Sequence, residues 1–378
     1  VIIAEAFAAR PAMPAAVTDS VARVLGSGRL FRYDGQESET ALLERDFAAL
    51  VGLRYALATT SCSSAIVLAL RALGVEPGDT VLCPAFTFAA VPGAIAAVGA
   101  RPVLIETGAD LALSPGRLAD YLEAGGPAHA LILSYMRGHI GDVPRIMAVC
   151  EAFGVPVIED CAHALGATVD GRMVGTFGDV GCWSFQSYKL VDAGEGGMLV
   201  SDSDALMRRA LPMSGAYEEL WRSHLVRPEA IEVNRYPLFN HRMSELTAAV
   251  ARPQLGWMAE RVEAGRARYA IVAEALAGYA RLPAEAPGVR RAPDSIQFSV
   301  APDVADRLAV HARASGLPLH RFAGENARCY WNWPWADSSH VGSGQRALLE
   351  RTFDLRLPYW LPLDTVREAV ALLAEGWA

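Results

Sequence analysis

Lys189 is the only lysine in this chain of 378 residues; of the 34 Lys+Arg residues, the other 33 are arginine. Arginine and lysine are interchangeable as surface charges but not as nucleophiles, because only an amine loses its proton near neutral pH and condenses with a carbonyl. The lysine stands in GCWSFQSYKLVDAGEGGMLVSD, residues 181–202. An apolar, strand-like run leads into it, and a glycine-dense turn (Gly194, Gly196, Gly197) leads back into a second strand. Chance survival of one lysine under a compositional bias is the plain alternative.

Asp160, in VIEDCAHALGA (157–167), is expected just after a buried strand, at the rim where a cofactor sits. A carboxylate beneath a pyridine ring keeps the ring nitrogen protonated and makes the ring an electron sink. Asp160 and Lys189 therefore read as the two ends of one pyridoxal phosphate site, the alternative for Asp160 being a helix N-cap. His163 could approach the ring or be structural. In TTSCSSAIVLALRAL (59–73) a hydroxyl-rich loop opens onto a helix, whose first N–H groups, with Ser61, Ser63 and Ser64, make a phosphate cradle without a lysine. Serine-rich helix caps are common, so this segment alone carries little. No GxGxxG follows the first strand, which argues against a nicotinamide site. CPAFTFAAVPGA (83–94) supplies Phe86 and Phe88, of which one could stack on a planar ring; Phe86 reads as core. Glu159, Asp160, Cys161 and His163 do not read as a metal site. Neighbours on a strand end point to opposite faces, and no second ligand pair has zinc spacing.

These residues need elements to hold them. β-rich runs at 55–58, 80–83, 102–105, 130–134, 156–159, 181–185 and 197–200 alternate with helical patterns such as Ser64 to Leu73 and Pro144 to Phe153. The alternation predicts an α/β fold with a mostly parallel sheet of seven strands, ligands binding beyond the strands' carboxyl ends. Ser244 to Leu276 reads as one long helix kinked at Pro253. It bridges an N-terminal segment and large domain (1–264) to a smaller C-terminal α+β domain (265–378). Residues 283–293, rich in Pro, Gly and Ala, read as a loop.

Composition limits the function. Apolar residues make up 52% of the chain and mean hydropathy is +0.20, enough for a large core. No apolar run of about 18 residues suggests a membrane span, and no leader-like segment is evident. With a net charge of −8 spread along the chain, neither nucleic acid nor a membrane is the expected partner. Six cysteines without paired spacing fit reduced, buried thiols and a cytoplasmic location.

The small-residue loop Ser61-Cys62-Ser63, PAFTF, EDCAHALGA, SFQSYK followed by GEGG, and FNHRMSE occur in this order and spacing. Together they resemble the sugar aminotransferase family of pyridoxal phosphate enzymes often called DegT/StrS, whose fold is of the aspartate aminotransferase type (fold type I). The resemblance implies that Lys189 is the Schiff-base lysine and Asp160 the partner of the pyridine nitrogen. It makes Phe88 the stacking ring, and Ser184, Cys62 and Ser63 phosphate contacts. His163 falls near the ring hydroxyl, and Asn240 reaches across a homodimer interface to the neighbour's phosphate, giving composite active sites.

The implied activity is transfer of an amino group from L-glutamate or L-glutamine to a keto sugar, often nucleotide-linked, or a keto cyclitol, in secondary-metabolite or surface-glycan biosynthesis. Alternatives are a dehydrating or aromatising enzyme of the same family, against which Lys189 weighs because dehydrating relatives usually carry histidine there, and a non-catalytic cofactor-binding regulator. The chain also departs from the family: Cys62 stands where glycine is usual, Tyr188 replaces a small residue, Arg137-Gly138-His139 replaces a Gly-Gln type turn, and residues 320–335 (HRFAGENARCYWNWPW) differ throughout. Tyr330, Trp331, Trp333 and Trp335 are either an acceptor wall or packing between domains. Arg32 and Arg137 are candidates for a substrate carboxylate or phosphate, or ordinary charges.

Overall fold

The computed structural model describes residues 2–34, 37–218, 220–226 and 236–377. Strands β1 (Tyr55–Thr59), β2 (Thr80–Pro84), β3 (Arg101–Ile105), β4 (Ala130–Ser134), β5 (Val157–Asp160), β8 (Val180–Ser184) and β9 (Gly197–Ser201) form one sheet in the order β1-β9-β8-β5-β4-β2-β3. Only β9 runs against its neighbours, since it pairs antiparallel with both β1 and β8. The expected mostly parallel seven-stranded sheet is present. Its central strands are buried and apolar up to their carboxyl ends because helices cover both faces. Along β4, Ala130 and Ile132 join one core and Leu131 and Leu133 the other. Helices Cys62–Ala72, Ala90–Ala97 and Asp204–Ser214 pack on the first face, and Glu39–Val51, Pro115–Glu123 and Val143–Phe153 on the second.

Between β5 and β8 the short strands β6 (Thr168–Val169) and β7 (Arg172–Met173) pair with each other, and β6 also pairs with β10 (Val289–Arg290). The stretch 283–293 is thus a loop carrying one two-residue strand. The long helix expected over 244–276 is interrupted more than a kink requires: α-helix Glu245–Ala251, a 3-10 segment Arg252–Trp257 around Pro253, and α-helix Met258–Leu276. Proline has no N–H to donate and its ring crowds the preceding turn, so the tighter winding takes up the change of direction.

A second, antiparallel sheet joins β11 (Ser295–Ser299), β13 (Thr352–Arg356) and β12 (Leu319–Arg321) in the order β11-β13-β12. With helices Pro302–Ser315 and Leu363–Glu375 it encloses a separate core of Ile296, Phe298, Phe353, Leu355 and Val366. That core is not built from residues 265–378 alone. Ile3, of the N-terminal helix Ile2–Ala8, is buried in the small core, and the Trp360 indole donates to the Ala9 carbonyl at 2.9 Å. Phe322, Cys329, Tyr330, Trp333 and Leu349 join a core of the large sheet instead.

Candidate active site

A cleft of about 450 Å³ opens at the carboxyl ends of β4, β5 and β8 and is bordered on the other side by Arg328 and Arg356. Its floor comes from β5. Asp160 is the last residue of that strand, not the first beyond it, and no helix follows, so the N-cap alternative fails. Alternation turns Asp160 into the cleft and Glu159 away from it. The Asp160 carboxylate accepts from the Ser134 hydroxyl at 2.7 Å and the Ala162 amide at 3.1 Å, with the Cys62 thiol 3.7 Å away. Ser134 in turn accepts from Thr87 at 2.8 Å.

Cys62 and Ser63 begin the helix Cys62–Ala72. Ser61 caps it, its side chain accepting from Ser64 N at 3.0 Å, and the first intrahelical bond runs from Ala65 N to Ser61 O at 3.0 Å. The amides of Cys62 and Ser63 precede that bond, at the positive end of the helix dipole and on the cleft wall. The role of GEGG is steric. A side chain on Gly197 would place its Cβ 2.3 Å from the Ser61 carbonyl carbon and 2.5 Å from Cys62 N, so only glycine lets β9 support the turn. Gly196, at φ +143, lies in the left-handed half of backbone space.

Lys189 is half-buried and projects toward the floor, its Nζ 2.9 Å from His163 Nε2. Burial pushes its pKa down to about 8; Arg356 and Arg137 reinforce this while Asp294 and Asp160 oppose it. Tyr188, just before it, has φ +80, a cost for a residue with a Cβ. Two arginines flank Tyr188: Arg10 stacks 3.8 Å from the ring centroid, and Arg356 donates to the Tyr188 carbonyl at 2.8 Å. Phe88, 48% exposed, stands on the rim, whereas Phe86 is core. Ser184, at the end of β8, accepts from Gln186 N at 3.2 Å and lines the same cleft.

Cys62, Ser63, Phe88, Asp160, His163, Ser184 and Lys189 are thus brought together, and Arg137 borders them. The guanidinium of Arg137 is buried and bonded to the fully buried Asp354, so its charge is already matched. Arg32 does not reach the cleft: it is buried in an ion pair with Glu44 at 2.6 Å. Tyr330 packs in the large-sheet core, and Trp331 is half-buried with its indole donating to Gly324 O at 3.3 Å. Neither lines the cleft of the single chain; Trp333 is buried and Trp335 is exposed. Asn240 is exposed and outside the cleft of its own chain, accepting from Arg242 N at 3.3 Å.

Three groups escaped the sequence reading, all from the small domain: Asp294, Arg328 and Arg356. One signal was available in TFDLRL. Phe353 and Leu355 occupy the core face of β13, so Asp354 and Arg356 share the other face. Among the described residues, no group of three or more His, Cys, Asp or Glu is arranged to hold a metal ion.

Residues 12–308 match the model of the DegT/DnrJ/EryC1/StrS aminotransferase family, and the chain belongs to that family. It is 35% identical over 292 residues to a protein of Bacillus subtilis named "Putative pyridoxal phosphate-dependent aminotransferase EpsN"; the match spans 73% of each chain. It is also 35% identical to UDP-N-acetyl-3-dehydro-alpha-D-glucosamine 3-aminotransferase of Acidithiobacillus ferrooxidans, over 62% of this chain and 61% of that one. Other relatives are named as cyclitol aminotransferases. The crystal structure of the aminotransferase TlmJ from Streptoalloteichus hindustanus superposes with a TM-score of 0.84 at 27% identity, over 97% of both chains.

The protein is an aminotransferase and its cofactor is pyridoxal 5'-phosphate. The cleft fits that group: one amine, one carboxylate on the floor, a helix start kept open by Gly197, and an exposed aromatic ring.

Proposed function

We propose that this aminotransferase moves an amino group from L-glutamate or L-glutamine to the keto group of a sugar, often nucleotide-linked, or of a cyclitol. The carrying observation is that the chain's single lysine, bonded to His163, lines the same cleft as Asp160, with Arg328 and Arg356 in its wall. When bound, the cofactor supplies an electron sink for the carbon that gains or loses the amino group. The helix start at Cys62 and Ser63, with Ser184, would hold its phosphate, Asp160 would hold the ring nitrogen, and Phe88 would cover the ring. Lys189, with a pKa near 8, holds or gives up a proton close to neutral pH and so can serve as the general acid and base. The arginines offer a place for the donor's carboxylate.

The same reading makes the enzyme a cytoplasmic homodimer with composite sites. The six cysteines are free and buried, which suits a reducing compartment. Leu30, Phe31, Leu238 and Phe239 are exposed by 40–54%. They surround the turn that bears Asn240, which is tied to Thr60 beside the phosphate cradle by a bond from Thr60 N to His241 O at 2.9 Å. An apolar patch at that place suits a second copy of the chain. Among the described residues no helix is long and apolar enough to cross a membrane.

The test loads the protein with pyridoxamine phosphate and offers keto sugars, nucleotide-linked keto sugars and keto cyclitols, following return of the aldehyde form by absorbance. Recovery with one of these classes is expected. Recovery with simple α-keto acids alone would overturn the acceptor assignment and leave the aminotransferase standing.

A further inference from the structure

His163 lies between two charged groups from different domains. Its Nε2 is 2.9 Å from Lys189 Nζ, and its Nδ1 is 3.4 Å from Oδ2 of Asp294, the residue that leads into β11. Asp294 is itself well anchored. Ser295 donates to Oδ1 at 2.9 Å, Leu357 N donates to its carbonyl at 2.8 Å, and Arg356 stands 3.5 Å from Oδ2. Burial works against the charge of this carboxylate, yet Arg356, His163 and Arg137 together hold its pKa well below the usual range. An ionised carboxylate only accepts hydrogen bonds, so the proton of a neutral His163 belongs on Nδ1. The lone pair is then left on Nε2, facing the amine.

We infer that Asp294 is a positioning residue: it fixes the tautomer of His163 so that Nε2 accepts from Lys189 Nζ, and through that bond the small domain orients the amine. His163 is an acceptor here and not a store for the proton. Burial, with Lys189 and Arg137 adding to it, lowers its pKa to about 3, against about 8 for Lys189, so near neutral pH the shared proton stays on the amine. The charged groups bearing on the pair are Asp294 and Arg356 from the small domain, and Asp160 and Arg137 from the large one. The inference rests on the reading of Lys189 as the working amine, and Tyr188 and Arg356 then fix the amine's backbone while His163 fixes its tip.

The single lysine makes the test clean. With 13Cε-lysine, the pyridoxamine phosphate-loaded protein shows one lysine resonance, whose pH titration reads Lys189 alone. The 15N shifts of His163, assigned by comparison with His163→Gln, tell the protonated nitrogen from the bare one. Wild type is expected to carry the proton on Nδ1.

Asp294→Asn keeps an acceptor oxygen and should keep that tautomer. Asp294→Ala removes the acceptor, frees Nε2–H to face the amine, and should lower the Lys189 midpoint by roughly a further pH unit relative to Asp294→Asn. In a His163→Gln background the two Asp294 variants should titrate alike. A proton on Nε2 in wild type, or a difference between the Asp294 variants that survives in the His163→Gln background, would overturn the inference. These signals need no substrate, so they stand apart from the acceptor screen, and the isosteric Asp294→Asn keeps the comparison readable if the alanine variant folds poorly.

Discussion

On the proposed reading Lys189 and Asp160 divide the work at the residue scale, and each gives a separable prediction. Lys189→Arg should fold and bind the cofactor phosphate but lose turnover by several orders of magnitude, because a guanidinium stays protonated and makes no imine. Borohydride reduction of the wild type should fix the cofactor to one peptide and leave the variant unlabelled. A step in which Lys189 accepts a proton needs the neutral amine, so its rate should climb with pH and level off above about 8. Single-turnover rates from the pyridoxamine form between pH 6 and 9 read this directly. Asp160→Asn should retain phosphate binding while slowing the half-reactions. The chain Thr87 to Ser134 to Asp160 predicts a milder version in Ser134→Ala, a loss of roughly tenfold, since one charge-assisted bond of about 1.5–3 kcal/mol is removed and two other donors remain.

Elements matter here for what they hold still. Glu159, next to Asp160 but facing away, gathers the turn 175–178: it accepts from Tyr135 Oη at 2.6 Å and from the amides of Gly175, Phe177 and Gly178 at 2.7, 2.6 and 2.6 Å. Glu159→Gln leaves donors facing an NH₂ group, so a loss of roughly 2–4 kcal/mol in stability is expected by urea titration. Gly197→Ala drives a Cβ into the Ser61–Cys62 backbone and should weaken cofactor retention at least tenfold, measured by absorbance titration. These elements were legible to different degrees. The strands announced themselves as apolar runs, while the 3-10 segment after Ala251 did not, because Pro253 signals a break in a helix without saying how the chain rewinds.

The molecule as a whole should be sensitive to acid through its buried histidines. Burial pushes His224 down to about 4 and His139 well below its ordinary value. In the unfolded chain both take up a proton near pH 6.5, whereas folded His224 does not until about 4. The unfolded state therefore binds more protons across that window, and stability falls as pH drops through it. For His224 this amounts to about 3 kcal/mol. Urea midpoints from pH 7 to 4 should show the decline, and His224→Gln should flatten it. If two copies complete each site, dilution below the dimer dissociation constant should release cofactor, and Asn240→Asp should do so at higher concentration by setting a carboxylate against the phosphate. Sedimentation and absorbance on the same samples test both.

The sequence by itself determined what local chemistry encodes. A unique lysine, a carboxylate ending an apolar run, a serine-capped helix and glycines before a strand each need a particular residue type at a particular place, so they remain readable in one dimension, and the fold gathers them at one cleft. Tertiary structure decided what depends on residues far apart in the chain. Asp294 reaches His163 across 131 positions and Arg137 reaches Asp354 across 217, and neither pairing leaves a periodic trace. Arg32 was a candidate from the sequence and Arg356 was not, yet Glu44 pairs with the first while the second lines the cleft. A charge becomes functional or structural according to which partner the fold delivers, and only the folded chain fixes that choice.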